Sequence, residues 1–500
     1  MNNKPMKLVS FFFIFTLIFV FFAACKSNGK TPEEVPAGDS GNSNFFPVPE
    51  ETEKGEIKDS LPDGLDFGGK TLTVICRTSP VYGAGESEFV AEEENGENLN
   101  DAVYRRNRIV EGRLGIKLNV IYDSYDKLPG KIRASAAAGD NIYDLIAGMA
   151  SNTPALGVEG LLMNLSDVPH IDFARPWWNQ NIIRESTVGG KLNFLAGDAN
   201  VSVLAYCMVF FVNKDLMTEY ELPDIYGVIF EGKWTLDYMN GYIKNIHKDL
   251  DGDGIMDKND LFGFGLLKHP AHINAFMEAA GIQITKIGVD GKPYFNIDAE
   301  RMSGLVDKTY DIFYNNAGTF VDKSGDDYLV PNMFKNNQAL LATGALGDAE
   351  LFRAMDSDFG IIPYPKYDEK QEKYLAGVAP YYSLFCIPGN SVTAEMTGAA
   401  MEAMASESYK SVTPIYFDVM MKLKFARDET SSKIIDILRE SAYIDFSTLF
   451  NESINNPWGI LDALVGSKTN NFASWHEKNE QKMQSSINKL IEEIEKTEAK

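Results

Sequence analysis

Cysteine is scarce in this chain: four in 500 residues, with no CxxC pair and no Cys/His cluster of metal-ligating spacing. A disulfide framework and a zinc site are both disfavoured. Apart from Cys25, the cysteines are Cys76, Cys207 and Cys386, an odd number, so at least one is unpaired or joined to another chain. Each sits in an apolar, strand-like run (TLTVICRT, YCMVFFV, SLFCIP), which predicts small buried hydrophobes. Positive charge is also short, at 47 Lys and Arg against 71 Asp and Glu, a formal net charge of −24. Phosphate-rich partners would be repelled, so nucleic acid and anionic lipid surfaces are excluded, and a neutral or cationic small molecule fits better. Catalytic fingerprints are missing as well: no G-x-S-x-G, H-E-x-x-H, Walker loop or GxGxxG occurs. A pair of carboxylates for glycoside hydrolysis can always be picked from so acidic a chain, so that signal has no specificity. No internal repeat is present, which weighs against a repeat-built surface adhesin stiffened by calcium.

What is present is a globular composition, 44% apolar and 24% charged, in a chain long enough for two or three domains. Lys4 and Lys7 precede an apolar run, Leu8 to Ala24, which ends at Phe22-Ala23-Ala24-Cys25. Two readings follow: a short membrane anchor, or a secretory leader over 1–24 cut before Cys25. Residues 25–65 are rich in Ser, Gly, Asn, Pro and Glu and have no helical or strand period. That composition predicts a solvated tether.

From Gly69 onward strands and helices alternate. Thr71–Cys76, Lys117–Tyr122 and Tyr143–Ala147 read as strands. Asp101–Gly115 reads as an amphipathic helix burying Ala102, Val103, Ile109, Val110 and Leu114, with further helices at Leu128–Ala138 and Leu156–Leu165. Such alternation implies a mostly parallel sheet covered on both faces. Asn193–Asn200 and Tyr206–Val212 read as two more strands. Ala339–Ala342, Phe359–Ile362 and Tyr382–Ile387 are short apolar runs bounded by Gly, Pro or Asn/Asp, and read as buried strands. Helices are predicted at Leu236–Lys248, capped by Thr235, at 298–316 and 394–409, at Ile434–Leu438 and at Gln484–Glu495. Trp177-Trp178 reads as a core wedge or as an exposed platform, and burial is favoured because buried area dominates tryptophan energetics. Trp234 reads as packing at a helix start. His269 and His272 lack a third ligand within reach and do not predict a metal site.

The sharpest chemical motif runs from Asp249 to Asp260. Asp249, Asp251, Asp253, Asp257 and Asp260 occupy positions 1, 3, 5, 9 and 12 of an EF-hand-type loop. Gly254 stands at the turn, and Ile255 supplies its carbonyl at position 7. The expectation is a structural Ca2+. Aspartate at position 12 resembles dockerin-type loops, although only one loop is present and a cohesin partner is not expected.

Several stretches resemble the sugar-binding, extracellular solute-binding lipoproteins of ABC importers. They are Phe334 with the strand Ala339–Ala342 and Gly344, then Phe359-Gly360-Ile361-Ile362-Pro363, then Gly377–Ile387. Tyr143-Asp144-Leu145-Ile146, the step Asn213-Lys214-Asp215-Leu216 and above all Met401–Arg427 resemble the same family. Phe22-Ala23-Ala24-Cys25 resembles the bacterial lipoprotein box, with Phe22 where leucine is usual. The resemblance implies an α/β, two-lobed periplasmic-binding-protein-like fold of type II, each lobe a mixed sheet flanked by helices, with the ligand cleft between lobes. It places the first lobe at 66–196 plus about 377–413 and the second at 197–376 plus about 414–500. It also implies no enzymatic activity, a lipid on Cys25 (palmitate among its acyl chains), the extracytoplasmic face of the cell membrane, and ABC permease subunits as partners. Ser151, Asp198, Asn200 and Tyr206 are then expected near the cleft. Tyr381 and Tyr382, on the hinge crossing, and Trp458 are the aromatic candidates for a sugar.

Overall fold

The computed structural model describes residues 57–78, 88–89, 93–422 and 429–497, all within the compact unit Ser43–Lys500. The leader, Cys25, most of the tether and Ala426-Arg427-Asp428 lie outside the described residues. In chain order the strands are β1 (Lys70–Thr78), β2 (Ile116–Ser124), β3 (Leu145–Met149), β4 (Met208–Asn213), β5 (His247–Lys248), β6 (Leu261–Leu266) and β7 (Thr285–Ile287). They continue as β8 (Pro293–Phe295), β9 (Thr319–Val321), β10 (Ala339–Ala345), β11 (Phe359–Ile362), β12 (Ala376–Gly377), β13 (Ser383–Cys386) and β14 (Ala442–Tyr443).

The first sheet has the order β13-β3-β1-β2, with β1 parallel to β2 and β3, and β13 antiparallel to β3. Side chains on β1 alternate between faces, as a two-residue period demands. Leu72, Val74 and Cys76 pack with Val110, Leu114, Met401 and Ala405, carried by the helices Asn98–Leu114 and Ala394–Glu407. Ile75 turns the other way, among Leu128, Ile132, Ile146 and Leu156. Both faces of β1 are therefore buried, whereas the edge strand β2 is largely exposed. Ile109, expected on the buried stripe of Asn98–Leu114, is 48% exposed. Cys76, Cys207 and Cys386 are buried and form no disulfide with one another.

The second sheet has the order β11-β4-β10-β6-β5, with β9 also paired to β6. Its interior strand β4 is buried at every position. Neighbours Phe210 and Phe211 go to opposite faces. Phe210 meets Tyr364, Phe264 and Phe276 at centroid distances of 4.6, 5.5 and 5.8 Å, and Phe211 meets Phe352 at 4.8 Å. Each such ring pair adds about 0.5–1.5 kcal/mol beyond its buried area. Gly344, whose missing side chain signals a close approach, lies against this cluster: a Cβ there would sit 2.6 Å from Phe211 Cε2.

Several expected elements differ, and tertiary partners account for most of the differences. Residues 193–200 form isolated bridges at Leu195 and Gly197 instead of a strand, because Leu195 exchanges both backbone hydrogen bonds with Phe385. The helix after Thr235 ends at Ile243, since His247–Lys248 is claimed by β6. Thr235 does cap it, accepting from Tyr238 N–H at 3.2 Å. The helix expected over 156–165 is only Pro154–Val158, while the last helix begins early, at Phe472, and runs to Lys496. Trp177 and Trp178 are buried, as is Trp234, whose indole N–H donates to the Pro363 carbonyl at 2.9 Å. Among the described residues, no helix is long and apolar enough to cross a membrane.

Candidate functional site

The chain passes from the first sheet to the second through residues 197–207 and returns through 376–383. These two crossings are laced together. Ala379 N–H donates to the Tyr206 carbonyl at 3.0 Å and Ser383 N–H to Ser202 Oγ at 2.9 Å. Asn200 Nδ2 donates to the Ser383 carbonyl at 3.1 Å. Net, each such bond contributes about 0.5–1.5 kcal/mol. The crossings therefore form a two-stranded hinge, not two independent linkers.

The rings of Tyr206 and Tyr381 meet edge to face across that hinge, centroids 5.9 Å apart. His269 follows β6, the helix Pro270–Ala279 starts at it, and its ring lies 6.0 Å from Tyr381. Burial and the fields of Tyr206, Tyr125 and Asp327 push the Tyr381 hydroxyl up to about 12. Burial holds His269 below the ordinary imidazole value, against the pull of Asp327 and Asp462. Tyr125 belongs to the loop after β2, and Asn152 Nδ2, from the loop after β3, donates to its carbonyl at 2.9 Å. Ser151, half-buried, follows Ala150, whose N–H donates to the Tyr382 carbonyl at 2.9 Å. The groups around Tyr381 thus come from both sheets, and those of the first sheet stand at the carboxyl ends of its parallel strands. Ligands of open α/β sheets bind there.

The other expected site residues are placed differently. Asn200 is buried, and its side chain is engaged in the hinge, with Oδ1 accepting from Gly197 N–H at 3.0 Å. Tyr382 is fully buried, just past the turn that holds Tyr381 and immediately before β13. Trp458 is buried and donates its indole N–H to Glu278 Oε1 at 3.1 Å. Asp198 is half-buried, with its carboxyl pushed up to about 7 by burial, and its polar neighbours are Thr413 and Arg439. Of the seven, then, the buried Tyr206 and the half-buried Tyr381 are in direct contact.

Tyr125, His269, Asp327 and Asp462 were not among the expected ligand contacts. Their shared signal, visible once the strands are known, is a position on a loop or segment between main elements of the two sheets. Arg77 was missed too. It is buried near the end of β1, with Nε donating to Ser383 Oγ at 3.0 Å, Cζ 5.9 Å from the Tyr206 centroid, and no hydrogen bond on Nη1 or Nη2. Glu88 accepts from Ser202 N–H at 3.1 Å through Oε1, while its buried Oε2 has no partner. His272 is a core residue, bonded through Nδ1 to Thr343 Oγ1 at 2.9 Å and pushed down to about 3 by burial.

The acidic loop is a separate feature. Carboxylate oxygens of Asp249, Asp251 and Asp253 lie within 4.8 Å of one another, close enough to share one cation. Gly254, at φ 77°, supplies the left-handed turn and donates its N–H to Asp249 Oδ2 at 2.9 Å. Asp260 is fully buried and staples the loop, accepting Leu250 N–H on Oδ1 and Asp257 N–H on Oδ2, both at 2.8 Å. Ile255 is 63% exposed and Asp257 accepts from Asn259 N–H at 2.8 Å; neither belongs to the three-carboxylate cluster. Three oxygens of a hard-cation set are thus in place, and they fit calcium's preference for carboxylates.

Two α/β lobes sharing a laced hinge, with polar and aromatic side chains converging between them, define a two-lobed binding protein. The family model for bacterial extracellular solute-binding protein matches residues 110–409, and the chain belongs to that family. Solved structures agree on the fold. A cyclo/maltodextrin-binding protein complexed with maltotetraose superposes with a TM-score of 0.52 at 13% identity, over 86% of this chain and 97% of that one. The GacH receptor of Streptomyces glaucescens, solved unliganded and with acarbose, gives 0.54 at 11% identity, over 85% and 99%. An ABC substrate-binding protein from Listeria monocytogenes in complex with cycloalternan gives 0.51 at 12%, over 84% and 98%. No curated protein matches the chain by sequence.

Proposed function

We propose that this protein is the solute-capturing component of an ABC import system and that its solute is a neutral sugar or oligosaccharide. The observation that carries the reading is the group around Tyr381. An aromatic face lies beside an imidazole, with Asp327 and Asp462 near enough to act on it, between two lobes joined by a hinge. Sugar C–H faces pack on rings while hydroxyls seek carboxylates and amides, and interlobe clefts are the usual place for such ligands. Arg77, buried with its Cζ 5.9 Å from the Tyr206 centroid, acts on the buried Glu88 carboxyl and supports the hinge beneath that group. The net charge of −24 supports a solute that is not an anion. Solute would favour the closed lobes through contacts made only in that state. The three solved relatives named above, with their bound maltotetraose, acarbose and cycloalternan, support the same class of solute.

The same proposal includes a lipid on Cys25, holding the protein on the outer face of the cell membrane, and a structural calcium ion. Asp249, Asp251 and Asp253 would hold the ion, with Ile255, Asp257 and Asp260 completing the loop, and it would pin a surface turn without taking part in binding. Titration calorimetry against maltotetraose, acarbose and cycloalternan, extended to other neutral oligosaccharides, tests the main reading. At least one should bind saturably and be recovered unchanged. Accumulating hydrolysis products, or no binding across the series, overturns it.

A further inference from the structure

A groove of about 560 Å³ lies on the second lobe, along the half-buried edge strand β9, and none of the residues assigned above to the gap around Tyr381 lines it. Its size falls within the roughly 300–1,000 Å³ of small-molecule sites. The aromatic part of its lining is Phe262, Phe313, Tyr314 and Phe320, with Phe262 and Phe320 packed at 5.4 Å. Tyr314 is held in place by its hydroxyl, which donates to the Val465 carbonyl at 2.8 Å, and Lys468 Nζ sits 5.1 Å from its centroid. Lys323 and Lys468 add exposed donors.

The wall of the groove also contains Asp322, 1% exposed. Its Oδ1 accepts from Ser324 N–H and Oγ, both at 2.7 Å, but its Oδ2 is buried with no hydrogen bond. An unpaired carboxylate oxygen kept from water costs free energy until a donor reaches it. The lining carries three lysines, Lys258, Lys323 and Lys468, against Asp257 and Asp322, and a purely apolar molecule would leave these groups and the buried Oδ2 unpaired. A molecule with hydroxyl donors, ether and hydroxyl acceptors for the lysines, and an apolar ring face satisfies all three features.

We propose that this groove is a second carbohydrate site, taking a saccharide unit whose ring packs on Phe320 and Tyr314 and whose hydroxyl donates to Asp322. Two segments run from it toward the gap between the lobes. Asp322 and Lys468 stand at the groove, whereas Asp327, on the loop after β9, and Asp462, which opens the helical turn Asp462–Gly466 just before Lys468, act on His269. The carbohydrate assignment rests in part on the function proposed above, so the test reads the two sites separately.

Met256 lines the groove and is 41% exposed, which makes its methyl group a reporter. Protein carrying 13C-methyl methionine, with Met256 assigned through Met256→Leu, is titrated with maltotetraose, cycloalternan and other neutral oligosaccharides. At least one should move the Met256 resonance saturably, and should still do so in Tyr381→Ala. Phe320→Ala and the milder Asp322→Asn should weaken that response at least tenfold while leaving calorimetric binding at the Tyr381 site within twofold. A sugar that binds at the Tyr381 site while Met256 stays silent across the series overturns the second site and leaves the receptor reading standing. Silence at both sites overturns both.

Discussion

Tyr206 and Tyr381 stand on different crossings between the lobes, yet their rings touch edge to face at 5.9 Å. The buried ring of the hinge, Tyr206, is therefore in direct contact with the half-buried ring proposed to face solute, Tyr381. Removing Tyr381 should weaken solute binding at least tenfold, equivalent to about 1.4 kcal/mol. Loss of its two ring contacts should cost the free protein about 0.5–1.5 kcal/mol each, in addition to the burial of its half-buried ring. Calorimetry and thermal melting of Tyr381→Ala check both figures, and a large drop in Tm with unchanged affinity would assign the residue to packing alone.

The acidic loop should separate two kinds of aspartate. Asp253 belongs to the three-carboxylate cluster, so Asp253→Ala should lower Tm in calcium and have little effect in chelator. Asp260 holds two backbone N–H groups, so Asp260→Ala should cost about 1–3 kcal/mol with or without calcium. Melting curves of both variants in calcium chloride and in EDTA decide. Equal losses for Asp253→Ala in the two media would remove the ion from the loop.

Stability should fall as pH rises. Glu278 is buried, with its carboxyl pushed up to about 8 by desolvation and by Asp445, and burial raises Asp445 and Glu185 as well. A carboxyl whose folded pKa is raised stays protonated in the native state while the unfolded chain ionises it. The stability it contributes is complete below pH 4.5 and is lost as pH climbs toward 8. Tm at pH 5 should exceed Tm at pH 8.5. Glu278→Gln keeps an acceptor for the Trp458 indole and should flatten that slope, raising Tm at the alkaline end.

Trp178 ties residues 172–178 to the helix Ala394–Glu407 through its indole N–H, 2.9 Å from Glu402 Oε2. Trp178→Phe keeps most of the ring but leaves a buried carboxylate oxygen short of a donor. Urea unfolding should show a loss of about 1–3 kcal/mol from a lower midpoint at unchanged slope. An unchanged midpoint would show that Asp172 N–H, 3.3 Å away, suffices for Glu402.

How far the residues alone carry the reading depends on what each feature needs. Phe359–Ile362 is a strand at those limits and Leu128–Ala138 a helix at those limits, because apolar period, proline and glycine act within a few residues. Residues 193–200 fail as a strand because Phe385, far along the chain, takes the hydrogen bonds of Leu195. The same distinction separates Tyr381 from Tyr382. Adjacent tyrosines look equivalent in the sequence, and only the turn at the crossing and the packing of the lobes leave one half-buried and the other wholly inside.

Local chemistry therefore determined the alternating elements, the capped helices, the aspartate loop with its left-handed glycine, and the excess of negative charge. Each of these is an interaction between near neighbours in the chain, or a plain sum over it. The tertiary structure decided which side chains share the space between the lobes. Tyr125, Tyr206, His269, Asp327 and Tyr381 converge there from segments up to about 250 residues apart, and no periodicity encodes a meeting made only when two sheets close on one hinge.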